Sequence, residues 1–162
     1  MFNKNNQEHE LLFKRMKNSG IFELLGESDI NVLLRIAHIR EYSGGEKIFT
    51  EGTVGLCFYI IVKGSVNMVL NQSGEEQIIR EYGEGSFFSE IHLFTETNHN
   101  VTCVAKEVTK LIIFSKPDLE DLVKINPKLG NKILLRFLDF LGQKLEKMYK
   151  ENTELKVRVK AE

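Results

Sequence analysis

The chain has 162 residues, 42% apolar and 28% charged, which fits one ordinary domain with a modest appendage and argues against wholesale disorder. Lysine and arginine total 22 against 23 acids, so a net charge of −1 gives no global signal for nucleic acid or an anionic membrane. The two cysteines, Cys57 and Cys103, sit in apolar runs outside any C-x-x-C pair, which disfavours a disulfide framework or structural zinc and suits a reducing cytoplasm. Pairing of the two with each other stays open.

The opening segment MFNKNNQEHELLFKRMKNSG lacks a secretory signal, and no 18-residue apolar run occurs, so a soluble protein is expected. Residues 1–39 form the first zone, with helix expected from about Glu8 to Ile39. Leu11, Leu12 and Met16 recur at helical spacing. After a break at Ser19-Gly20 come Ile21-Phe22 and Leu24-Leu25. Ser28-Asp29 then provides an N-cap for an amphipathic segment carrying Ile30, Leu33, Leu34, Ile36 and Ala37.

Residues 40–116 change character. Short apolar runs (Lys47–Thr50, Leu56–Val62, Val66–Leu70, Gln77–Arg80, Val101–Ala105 and Val108–Phe114) alternate with turn residues such as Gly44-Gly45, Gly52, Gly64, Asn71-Gln72-Ser73-Gly74 and Gly83. Six or more strands at this spacing predict an antiparallel sandwich or jelly-roll barrel, hence an α+β fold. No helix-sized segment separates the strands, which argues against a parallel sheet.

From 117 to 162 helix returns. Ser115 or Lys116 precedes Pro117 at a helix start, with Asp118, Glu120 and Asp121 in the first turn. Asn126-Pro127 ends that helix and starts another, spanning about 128–160. Leu134, Leu138, Leu141, Leu145, Met148, Asn152, Leu155 and Val159 repeat at alternating spacings of four and three, with Asn152 at an a position if Leu138 is one. That pattern predicts a homodimer through this helix. In the competing reading Ile133, Leu134, Phe137, Phe140 and Leu141 pack on the chain's own barrel. Both are expected to hold, the first turns as core and the later ones as interface.

The stretch Tyr42-Ser43-Gly44-Gly45-Glu46-Lys47-Ile48-Phe49-Thr50-Glu51-Gly52, followed by Phe58–Gly64, resembles the opening half of the cyclic-nucleotide-binding domain family. This family includes the sensor domains of catabolite-activator-type regulators. Gly85-Ser86-Phe87-Phe88-Ser89-Glu90-Ile91-His92-Leu93-Phe94 is similar to its phosphate-binding cassette, which here would span 85–102. The resemblance runs from about Ile21 through Leu145. It implies a ligand cavity at Phe88, Ser89, Glu90, Ile91, Asn100, Val101 and Thr102. A short helix near Ser89 would aim its N–H groups at an anion, and Glu90 would accept a ribose hydroxyl.

The family's Arg–Ser/Thr–Ala triplet falls on Asn100-Val101-Thr102. The arginine that forks onto the cyclic phosphate is therefore missing, Val101 removes a hydroxyl, and Ser89 stands where glycine is usual. The base-contacting positions of the last helix fall on Lys144 and Leu145. A charged hydrogen bond is worth about 1.5–3 kcal/mol, so this degenerate cassette disfavours cyclic AMP or cyclic GMP as a ligand, and no other cofactor is indicated. His92 and His99 are the nearest substitute cations, although strand alternation would turn His99 away from Asn100. Their plainer reading is as solvent-facing or locally bonded side chains. Glu90 likewise admits ribose recognition or a merely structural role.

Catalysis finds no support. His9, His38, His92 and His99 show no cupin-type or HExxH spacing. No serine sits in a G-x-S-x-G elbow, and Gly83-Glu84-Gly85 opens no βαβ unit. The helix-turn-helix of the family's transcription factors would need chain beyond Glu162, so nucleic acid is disfavoured as a partner. Residues 128–162 hold nine Lys/Arg against five acids, but their Glu/Lys interleaving fits a solvated coiled-coil flank better than a DNA or membrane contact. Met1 points to an authentic N-terminus, and a longer parent chain stays open. The expectation is a non-enzymatic, dimeric regulatory protein acting on an unidentified protein partner. A sensor of a cyclic nucleotide or another small anion through a non-standard cavity is the alternative.

Overall fold

The computed structural model describes residues 2–72 and 75–159, with backbone alone at 2–5, 72, 158 and 159. Thus Met1, the expected turn residues Ser73-Gly74 and the helix end at 160–162 lie outside the described residues. Among the described residues eight antiparallel strands form two four-stranded sheets: β1 (His38–Tyr42), β2 (Lys47–Phe49), β3 (Cys57–Lys63), β4 (Val66–Gln72), β5 (Glu75–Tyr82), β6 (Phe87–Phe88), β7 (Thr102–Ala105) and β8 (Thr109–Ser115). The orders β1-β8-β3-β6 and β2-β7-β4-β5 are those of a jelly roll, as two facing sheets. Helices α1 (Phe2–Lys17) and α2 (Glu27–Ile36) precede the strands, and α3 (Lys116–Ile125) and α4 (Pro127–Val159) follow them.

At the centre of the first sheet β3 and β8 are covered on both faces, which is why β3 reads as an unbroken apolar run. Phe58, Ile60 and Val62 join Ile112 and Phe114 in a cluster with Met16, Phe22, Leu33, Leu129, Ile133 and Phe137 from the helical segments. Tyr59 and Ile61 point the other way. They meet Val66 and Met68 of β4 and Cys103 and Ala105 of β7 between the sheets. At the helical face Phe22 makes edge contacts with Phe58, Phe114 and Phe137. These contacts seat the first turns of α4 on the sheet.

Several local expectations change. Residues 18–26 form turns rather than helix, with Ile21, Phe22 and Leu25 buried. Helix α2 is capped by extended Gly26, not by Ser28-Asp29. Asp29 instead pairs with Lys132 Nζ at 2.7 Å, tying α2 to α4. His38 and Ile39 leave the helical zone for β1, which pairs along its length with β8. Ser115 does cap α3, its Oγ accepting from the Asp118 N–H at 3.2 Å. Asn126 Oδ1 accepts from the Leu129 N–H at 3.2 Å as α4 begins. A Cβ on Gly130 would lie 2.8 Å from Val123 Cα, so the missing side chain lets α4 start tight against α3. Both cysteines are free thiols.

Helix α4 has 33 residues, about 50 Å. Leu129, Ile133 and Phe137 are buried against the sheet. Leu134 is exposed rather than core, as are Leu138, Leu145, Met148, Asn152 and Leu155 beyond it, while Leu141 is half-buried. The side chain of Val159 lies outside the described residues. No helix among the described residues is long and apolar enough to cross a membrane.

Candidate functional site

A cavity of about 390 Å³ opens where β6 and the turn after it face β4, β5 and α4. Of the expected residues, Phe88, Ser89, Glu90, Ile91, Asn100 and Val101 line it. Thr102 does not. Its Oγ1 accepts from the Glu51 N–H at 3.1 Å, beside β2. Phe88 is deeply buried and stacks on Tyr59 at 5.0 Å between centroids, fixing the cavity floor to the inter-sheet core.

The short helix expected near Ser89 is a single 3-10 turn, Glu90–Leu93. Ser89 precedes it at φ 67°, the left-handed conformation that favours glycine, and is the one non-glycine residue with positive φ among those described. The backbone thus keeps a glycine-type path although a side chain is present. The Ser89 Oγ is buried without a hydrogen-bond partner. A serine at this position was expected to alter the cassette; it leaves the path intact and adds strain.

Glu90 is buried, and its carboxylate accepts a hydrogen bond from Lys144 Nζ on α4. Lys144 also passes 5.9 Å from the Phe140 ring. The ammonium therefore occupies the carboxylate on which the family resemblance places a ribose hydroxyl. A buried carboxylate needs such a partner to stay ionised at low cost.

Neither His92 nor His99 faces solvent. The His99 ring stacks on Phe49 at 3.7 Å and 7° between planes, and His92 abuts it edge-on at 4.3 Å. Burial, with His92 beside it, pushes His99 down to about 4, and burial also lowers His92 below its ordinary value. Burial therefore favours the uncharged ring in both. His92 is bonded locally, Nδ1 lying 3.4 Å from Thr97 Oγ1. Gly55 makes room for it, since a Cβ there would fall 2.4 Å from the ring.

Arg80 is the residue that motif reasoning missed. It lies on β5 opposite Met68 of β4, lines the cavity, and donates from Nη1 to Tyr82 Oη at 3.2 Å. A second, more open trough of about 530 Å³ lies between α4 and the β5–β6 segment. The two share Arg80, Tyr82, Glu90 and Lys144. The available signal was Arg80 and Tyr82 two residues apart on one strand face. Among the described residues no group of three or more His, Cys, Asp or Glu converges to hold a metal ion.

The family model of the cyclic nucleotide-binding domain matches residues 39–126, and the chain belongs to that family. A cAMP-dependent protein kinase regulatory subunit of Mycosarcoma maydis is 27% identical over 105 residues, 65% of this chain and 20% of its own length. The cAMP-activated global transcriptional regulator of Salmonella typhimurium is 28% identical over 111 residues, 67% of this chain and 51% of its own length. The chain thus spans at most about half of these curated relatives. In structure it is similar to the catabolite activator protein of Thermus thermophilus. That likeness has a TM-score of 0.73 at 24% identity, covers 84% of this chain and 62% of the other, and is one of fold.

Proposed function

We propose that this chain is a non-enzymatic regulatory domain that binds cyclic AMP and cyclic GMP weakly or not at all and acts in the cytoplasm as a homodimeric scaffold for a protein partner. The observation that carries this reading is Lys144 seated on Glu90. A cyclic nucleotide would have to displace that ammonium while finding Asn100 in place of a phosphate-binding guanidinium. Losing one charged hydrogen bond weakens binding about ten-fold to over a hundred-fold. The homology with regulatory proteins supports a signalling role, and the exposed Leu138, Leu145, Met148 and Leu155 support pairing through α4.

Titration calorimetry with cyclic AMP and cyclic GMP tests the first half; dissociation constants at or below the micromolar range refute it. Light scattering tests the second. The parent is expected to be a dimer that Leu138→Glu converts to monomer, and a monomeric parent at high micromolar concentration refutes it.

A second reading, a sensor of another small anion through the same cavity, is favoured by Arg80 lining it without a salt bridge among the described residues.

A further inference from the structure

We propose that the cassette cavity receives a compact, largely apolar monoacid, its carboxylate held by Arg80 of β5 and its body lying against Phe49, Phe88 and Val101. This inference deepens the second reading above and rests on it.

Elimination identifies the anchor. Four basic-type side chains line the cavity: Arg80, His92, His99 and Lys144. The histidines are packed against each other and Phe49 as neutral rings. Lys144 is engaged with Glu90. Arg80 remains. It donates from Nη1 to the Tyr82 hydroxyl, a neutral acceptor. A guanidinium carries five donors in a planar fork, so several remain for a carboxylate.

The same count fixes the ligand's charge. Among the lining groups Lys144 and Glu90 cancel and Arg80 leaves one net positive charge, which Glu151 farther along α4 and Glu90 already offset in part through space. That field suits one negative charge and penalises a second. The walls fix the rest of the chemistry. Phe49, Met68, Ile79, Phe88, Ile91 and Val101 present apolar and aromatic surface, and 390 Å³ lies at the small end of ligand cavities. Asn100 on the exposed rim adds a polar group to this lining.

The test is calorimetry on the full chain with two probes of one shape, 2-naphthoate and the neutral 2-naphthalenemethanol. The parent is expected to bind the carboxylate at least about ten-fold more tightly than the alcohol. Arg80→Gln should abolish that preference, and Arg80→Lys, a charge without the fork, should keep part of it. Arg80 is exposed on an edge strand, so neither change threatens folding. Gln143→Ala, which alters the neighbouring trough and not the cavity lining, should leave the preference intact. Equal binding of the probes, binding of neither, or a preference that survives Arg80→Gln or vanishes in Gln143→Ala overturns the proposal. Titration with cyclic AMP in the same cell reports separately on the weak-nucleotide reading.

Discussion

The ammonium of Lys144 on α4 donates to the buried carboxylate of Glu90, 54 residues earlier in the chain, and so occupies the cassette's carboxylate with a side chain of the protein itself. The contact ties the long helix to the turn that follows β6. In a domain whose ligand would approach that same carboxylate, helix docking and ligand binding compete for one acceptor.

Removing the lysine leaves Glu90 buried without its cation. Lys144 is partly exposed, so water screens some of the loss, and Lys144→Ala is expected to cost about 2 kcal/mol of unfolding free energy. Glu90→Gln should cost less, because no charge is stranded in the interior. The double variant should lose clearly less than the sum of the two, which urea denaturation measures as a coupling energy. Strict additivity would mean that the pair does not hold α4.

How much of this was readable from residues alone follows from the kind of contact involved. Strands β3, β4, β7 and β8 were legible because Cys57–Val62 and its neighbours carry apolar side chains on one or both faces. Strand β1 was not, because His38-Ile39-Arg40-Glu41 are all exposed and its pairing with β8 is a backbone matter. The Gly26 cap escaped notice because Ser28-Asp29 has the better cap chemistry, which Asp29 uses on Lys132 instead. Spacing from Glu90 located Asn100 and Val101 at the cavity. It could not show that Lys144 reaches Glu90 or that Arg80 enters the cavity, since both depend on how α4 and β5 pass over β6.

Ser89 stores strain in the cassette. Its φ of 67° costs a non-glycine residue about 1–2 kcal/mol, and its Oγ is buried without a partner. Glycine relieves both, while the looser unfolded chain takes back about 0.4–1 kcal/mol. Ser89→Gly is therefore expected to stabilise the domain by about 1 kcal/mol, an outcome opposite to most glycine substitutions. A lowered unfolding midpoint would show that the hydroxyl has a role the geometry does not reveal.

Acid should weaken the fold through His99. Its folded-state pKa of about 4 lies below the ordinary 6.5, so between those values the unfolded chain binds more protons. Stability from the neutral ring is complete above about pH 6.5 and is lost as pH falls toward 4. At pH 5 the loss is about 2 kcal/mol from His99, and His92, shifted in the same direction, adds to it. Asp118 does not confound this window. Hydrogen bonding from Ser115 holds its carboxyl below the ordinary 3.8, so its contribution fades only at lower pH. Replacing the ring by His99→Phe, which can still stack on Phe49, should remove most of the difference between urea titrations at pH 7 and pH 5. A parent equally stable at both values contradicts the assignment.

Asn100 marks where the phosphate-binding guanidinium of the family resemblance would stand, exposed at the cavity's rim with open space for a longer side chain. Asn100→Arg restores a planar cation there without disturbing the core, and should raise affinity for cyclic AMP about ten-fold or more. The gain is expected to be incomplete, because Lys144 still holds Glu90 and keeps its oxygens from a ribose hydroxyl. Combining Asn100→Arg with Lys144→Ala frees that carboxylate, so the double variant should bind more tightly than Asn100→Arg alone even though it is less stable. Affinity and stability moving in opposite directions is the signature of a carboxylate contested by helix and ligand. If Lys144→Ala lowers affinity in the Asn100→Arg background, the lysine assists ligand binding rather than excluding it, and the competition described for Glu90 does not operate.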